Sequence, residues 1–131
     1  MTALDHNVST TIADIRCVAV PVRDQDAALA FYIDALGFEK RLDAPISETM
    51  RWIEVAPPGA ATSIALVSGP DSPAPGVDTG IRFTVGTIEA EYERMRDRGV
   101  STSDLLAWPD VPPMFTFDDP DGNRFYVVAE S

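Results

Sequence analysis

Asp119-Pro120-Asp121-Gly122-Asn123 stands between Met114-Phe115-Thr116-Phe117 and Arg124-Phe125-Tyr126-Val127-Val128, two runs rich in aromatic and β-branched residues. The flanks predict strands, and Asp-Pro-Asp-Gly is turn chemistry. Proline presets φ, aspartate side chains bond nearby backbone N–H groups, and glycine accepts positive φ. The stretch therefore predicts a β-hairpin with a tight turn at 119–123. Asp118, Asp119 and Asp121 read as turn formers before they read as a metal cluster.

Upstream of the hairpin, one grammar occurs twice. Residues 15–22 alternate Val18, Val20 and Val22 as a strand does, and these valines are assigned to the core under the helices. Asp24 offers an N-cap carboxylate to a helix whose apolar face is Ala28, Phe31, Tyr32, Ala35 and Leu36, and Gly37 ends it. Residues 51–55 and 63–67 predict two more strands. Pro70, Pro73 and Pro75 then sit between Gly69 and Gly76, a linker composition. The order repeats with a strand at 81–85, a helix capped by Thr87 with the stripe Ile88, Tyr92 and Met95, and a stop at Gly99. Glu89, Glu91, Glu93, Arg94, Arg96, Asp97 and Arg98 read as that helix's solvated face. Val22 to Gly37 spans 15 positions and Val85 to Gly99 spans 14, as a duplicated strand–helix unit would give. One strand of each half is weakly signalled, around 38–42 and around Trp108. The reading is an α+β fold of two βαβββ modules, 14–69 and 80–129. A linker at 70–79 joins them in one domain (14–129), behind a flexible arm at 1–13.

With 131 residues the chain favours a single domain, which buries roughly two-thirds of its unfolded surface. No apolar run approaches the ~18 residues of a membrane helix, and the arm lacks the pattern of a signal peptide, so no membrane is expected. Cys17 is the only cysteine, which excludes an internal disulfide and fits the cytoplasm. A net charge of −11 argues against nucleic acid. The same charge serves solubility, and it attracts cationic solutes at long range.

The hairpin, together with Val22-Arg23-Asp24, Ala28, Phe31-Tyr32 and Leu36-Gly37-Phe38, resembles the vicinal oxygen chelate superfamily: glyoxalase I, bleomycin- and fosfomycin-resistance proteins, and extradiol dioxygenases. The resemblance covers about residues 14–129. It implies a curved mixed sheet with helices outside and a concave pocket within, commonly assembled as a homodimer. In metal-dependent members four positions hold a divalent ion, and by the resemblance these fall at Cys17, Ala65, Gly80 and Tyr126. Ala65 and Gly80 offer no donor side chain, and Tyr126 would have to lose a proton from a pKa near 10. One thiolate does not make a metal site, and the only histidine, His6, lies in the arm. No metal and no other cofactor is expected.

Strand alternation assigns the pocket. Pairing Val55 with Thr62 sets Trp52 opposite Ala65 and Glu54 opposite Ser63. Cys17, Trp52, Glu54, Ser63, Arg82 and Tyr126 then face inward, with Trp108 and Met114 at the rim, an aromatic-walled site with few polar anchors. Each has a plainer reading: Cys17 as a small buried hydrophobe, Trp52 as packing, Glu54 and Arg82 as partners of each other, Tyr126 as a cap on the core. The leading functional reading is a metal-independent binder of an aromatic or cationic small molecule, like the bleomycin-resistance branch. The alternative is an enzyme with rebuilt chemistry, a lyase, isomerase or dioxygenase-like protein. Glu54 would be its base or Cys17 its nucleophile, with substrate held by Arg82. A metal-dependent enzyme is the third reading, opposed by the ligand count.

Overall fold

The computed structural model describes residues 9–130. Most of the expected arm, His6 included, lies outside the described residues; 9–13 are exposed and carry no regular secondary structure. The strands are β1 (Cys17–Pro21), β2 (Glu39–Pro45), β3 (Arg51–Ala56), β4 (Ser63–Val67), β5 (Asp78–Val85), β6 (Ser101–Thr102), β7 (Met114–Asp118) and β8 (Arg124–Ala129). Helix α1 (Gln25–Ala30) runs on as a π-helical turn, Phe31–Ala35, and α2 is Ile88–Asp97. The strands make two four-stranded mixed sheets, ordered β1-β4-β3-β2 and β5-β8-β7-β6. The second order is the first shifted by four strands. In each sheet the first and last strands of the module pair in parallel, β1 with β4 and β5 with β8, and the remaining pairs are antiparallel. This is the α+β arrangement of paired βαβββ modules.

Local chemistry accounts for the helices. The Asp24 carboxylate accepts from the Ala27 N–H at 3.0 Å and satisfies one orphan donor of α1. Gly37 and Gly99 take φ of 79° just past the two helical segments, where a side chain would be strained. Thr87 does occupy the N-cap of α2 with extended backbone, yet its side chain makes no capping bond. The weak strand of the first half is β2, close to where it was sought. In the second half the prediction misses. The strand is Ser101–Thr102, extended by a single bridge between Leu106 and Met114, while Trp108 lies in the loop beyond. β5 also begins at Asp78, inside the expected linker.

The core spans both modules. Val20, Tyr32, Ile53, Val55 and Leu66 from the first are fully buried in one cluster with Phe115, Phe117, Phe125 and Val127 from the second. Phe83, Phe117 and Phe125 stack, and Tyr32 meets Phe125 edge-on at 6.1 Å between centroids. The closing turn locks the halves together. Asp119 and Asn123 are buried there. Tyr32 donates its hydroxyl to Asp119 Oδ2 at 2.7 Å, and burial, then the carboxylate, push that phenol's pKa upward. Asn123 Nδ2 donates to Pro21 O at 2.7 Å and to Asp119 Oδ2 at 3.0 Å, while its Oδ1 accepts from the Gly76 and Val77 N–H groups. Asp119 is thus a turn former, as expected, and also the junction between modules. Val18 departs from its assignment: it is 37% exposed, because edge strand β1 leaves that position open toward β5 instead of under a helix.

Candidate ligand-binding site

Register fixes which side chains share a face. In the first sheet Cys17 stands beside Ser63, Ala19 beside Ala65, and Ala65 beside Glu54. β3 and β4 pair two residues away from the expected register, with Glu54 opposite Ala65 and Val55 opposite Ile64. A two-residue slip preserves the face of every side chain, so Trp52, Glu54, Ser63 and Cys17 still share one. In the second sheet Arg82, Thr116 and Tyr126 stand side by side, with Met114 beside Val128 on the same face. The opposite face carries Phe83, Phe115, Phe117, Phe125 and Val127 into the core.

Glu54 is the hub of the first face. It is 4% exposed, and each carboxylate oxygen is occupied. Ser63 Oγ donates to Oε1 at 2.7 Å, while Trp52 Nε1 at 2.7 Å and Arg16 Nε at 3.2 Å donate to Oε2. Burial pushes this carboxyl up, but the Trp52, Ser63 and Arg16 hydrogen bonds and the Arg16 charge outweigh it and hold the pKa below the usual carboxylate range. The Trp52 indole is pinned by its own N–H. The ion partner is therefore Arg16, just ahead of β1, and the Glu54–Arg82 pair that alternation allowed does not form. Arg16 contributes a single nitrogen from a side chain 74% exposed. Cys17, half-buried, has its thiol pKa raised by burial and then by the Glu54 charge, against a lowering by Arg16.

On the second face the Tyr126 hydroxyl donates to Asp78 Oδ2 at 2.7 Å, a bond that raises the phenol's pKa and lowers the carboxyl's. The Arg82 guanidinium lies 4.2 Å above the centroid of the Tyr126 ring and donates to Gly80 O at 2.8 Å. Gly80 takes φ of 70° inside the interruption of the β5–β8 register between Asp78 and Arg82. Trp108 is 51% exposed in its loop.

The candidates thus fall into two groups: Cys17, Trp52, Glu54 and Ser63 on the first sheet, Arg82, Met114 and Tyr126 on the second. Ser63 and Arg82 both line a groove of about 650 Å³ between β1, the loop 57–62 and β5, and none of the other candidates does. Cys17 and Ala65 likewise sit on the first sheet, Gly80 and Tyr126 on the second. No group of three or more His, Cys, Asp or Glu side chains able to hold a metal occurs among the described residues. Alternation missed Arg16 and Asp78, because each lies at or beyond the end of its strand, where period-two logic stops.

The chain matches the family model described as Glyoxalase/Bleomycin resistance protein/Dioxygenase superfamily over residues 14–127. It is 34% identical to the Bacillus subtilis (strain 168) protein YetH, described as uncharacterized, over 88% of this chain and 98% of that one. A superfamily member from Sphaerobacter thermophilus DSM 20745 superposes with a TM-score of 0.87 at 37% identity, covering 92% of this chain and all (100%) of that one. TnmS3, an antibiotic binding protein from Streptomyces sp. CB03234, superposes with a TM-score of 0.83 at 34% identity, covering 94% of this chain and 100% of its own.

Proposed function

Because the chain belongs to the glyoxalase/bleomycin resistance protein/dioxygenase superfamily, we propose that it is a metal-independent binding protein that reversibly holds an aromatic or cationic small molecule. The observation that carries this reading is the Glu54 hub, a buried carboxylate kept ionised beside an indole held in fixed orientation. A flat cation laid on Trp52 gains ~0.5–2 kcal/mol from the ring, according to its desolvation. To reach Glu54 it must displace Arg16, a single-nitrogen, largely exposed partner worth at most about 1 kcal/mol. The arrangement is a charge site closed by a removable plug. The likeness to TnmS3, an antibiotic binding protein, supports the small-molecule part of the reading.

Two further features complete the reading. The aromatic and polar groups are divided between the two sheets, and apolar Val18 lies on β1, an edge strand among the described residues. A homodimer setting the first sheet of one copy against the second sheet of the other would bring Trp52 and Glu54 toward Tyr126, Arg82 and Met114, with Trp108 at the rim. The enzymatic alternative draws little from the same side chains. A general base near neutral pH needs a raised carboxyl pKa and a nucleophilic cysteine a lowered one, whereas Glu54 is shifted down and Cys17 up.

The test is a thermal-shift screen with small aromatic cations and neutral aromatics of matching shape, since any native-state ligand raises Tm by mass action. Glu54→Gln should weaken a cationic hit strongly and a neutral one little, and Trp52→Ala should weaken both. Turnover of a hit that Glu54→Gln abolishes would establish the enzymatic reading instead.

A further inference from the structure

A second cavity, of about 160 Å³, lies on the other side of the sheets, at the junction of the two modules. Its inner wall is buried Leu36, Met95, Phe117 and Val127, and its outer end opens past Gly37, Pro58 and Thr84, which are exposed. None of the side chains assigned above to ligand binding lines it. We propose that this cavity is a separate binding site for a compact, neutral, single-ring aromatic bearing one oxygen, the phenol class.

Size, walls and a polar handle each narrow the occupant. An enclosed apolar cavity of about 150 Å³ accepts benzene, and this space, open at its outer end, has the size of a single six-membered ring. Phe38 stands edge-on to Phe83 at 5.4 Å and 77°, and Phe83 stacks on Phe117 at 17°. Such walls offer a guest ring both edge and face contacts. Among the polar lining residues, Thr84, Glu91 and Arg94, the last offers the free donor. Its Nε and Nη2 donate to Glu91, and Nη2 also reaches Leu36 O. Nη1 donates to nothing among the described residues. Beside it the chain has glycine: a Cβ on Gly37 would lie 4.0 Å from that Nη1, so the space there stays open. Glu91 neutralises the guanidinium, so an anionic guest gains little and meets the carboxylate's repulsion. A neutral hydroxyl avoids that repulsion and accepts one hydrogen bond, from Arg94 Nη1, the Glu91 oxygens being taken up by Arg94 itself. These two residues are therefore half-buried at a cavity mouth, where the helix pattern alone assigned them to a solvated face.

Four methionines make the test direct. With methyl-labelled methionine, phenol, toluene and benzoate are titrated into the full chain and followed by NMR. Met95 lines this cavity, whereas Met114 lies on the opposite face of the second sheet. The expected result is a saturable shift of Met95 alone, with phenol binding roughly five- to tenfold tighter than toluene and than benzoate, the factor of one hydrogen bond. Arg94→Met should reduce phenol to the affinity of toluene and leave toluene unchanged, a comparison that does not require filling the cavity. Val85→Phe, which fills it from β5, should abolish both. An unmoved Met95, or equal affinity for phenol and toluene in the unaltered protein, would overturn the proposal.

Discussion

Asp119→Asn tests the inter-module lock most sharply. The carboxylate takes four donors: the Asp121 and Asn123 N–H groups on Oδ1, both at 2.9 Å, and the Tyr32 hydroxyl and Asn123 Nδ2 on Oδ2, at 2.7 and 3.0 Å. An amide of the same shape has one acceptor and one NH₂, so in either flip two of the four donors lose their acceptor. Asn123 cannot turn over to help, because its Oδ1 is held by the Gly76 and Val77 N–H groups. Two charge-assisted bonds are therefore lost in a buried site, costing roughly 3–5 kcal/mol. Set against a typical domain stability of about 5–15 kcal/mol, Tm should fall on the order of 10–20 °C. Tyr32→Phe keeps the ring contacts with Phe31, Phe38 and Phe125 and loses one bond, about 1.5–3 kcal/mol. The assay is urea denaturation of both single variants and the double variant. The double should cost clearly less than the sum, since the amide at position 119 no longer accepts from the hydroxyl. Asp119→Asn within about 0.5 kcal/mol of the unaltered chain, or strict additivity, would show that the Asp119 carboxylate does not hold the modules together.

Three other outcomes follow from the same geometry. Arg16→Ala removes the plug over Glu54 and should tighten a cationic ligand by about fivefold, for a competitor worth about 1 kcal/mol, with little effect on a neutral one, as read by calorimetry. The Glu54 pKa is depressed in the folded state, so its contribution to stability is complete above the ordinary glutamate value of about 4.3 and is lost as pH falls through the folded value. The Tm gap between the unaltered chain and Glu54→Gln should thus hold from pH 7 to about 5 and narrow toward pH 3; a gap that widens in acid would reverse the sign. Gly122→Ala places a side chain at φ of 82°, where its Cβ would meet only Gly76 Cα at 3.6 Å, so the cost should be the backbone penalty alone, about 1–2 kcal/mol by denaturation.

Local rules made most of the fold legible. Asp24, Gly37, Gly99 and the 119–123 turn carry their structural instruction within a few residues, and the repeated order of elements follows from them. The face of each strand residue was also readable, since even a two-residue register error leaves alternation intact. Long-range information was not. Nothing near Glu54 in the sequence names Arg16 as its partner, and Asp119 reads as an ordinary turn residue until Tyr32, 87 positions away, is folded onto it. Trp108 failed as a strand marker because a tryptophan is equally at home in an exposed loop, whereas Ser101–Thr102 is too short and polar to announce itself. Val18 was misplaced because alternation distinguishes two faces and says nothing about which strand is an edge.

The proposed function requires a ligand held at Trp52 and Glu54 and left chemically unaltered. A crystal structure of the protein with the tightest hit from the thermal-shift screen measures this directly. The expected result is ligand density against the Trp52 ring, its charged group bonded to Glu54 Oε2 in the place of Arg16, and every covalent bond of the ligand intact. A metal-bridged ligand among Cys17, Ala65, Gly80 and Tyr126, a cleaved or rearranged product, or density remote from both Trp52 and Tyr126 would contradict it.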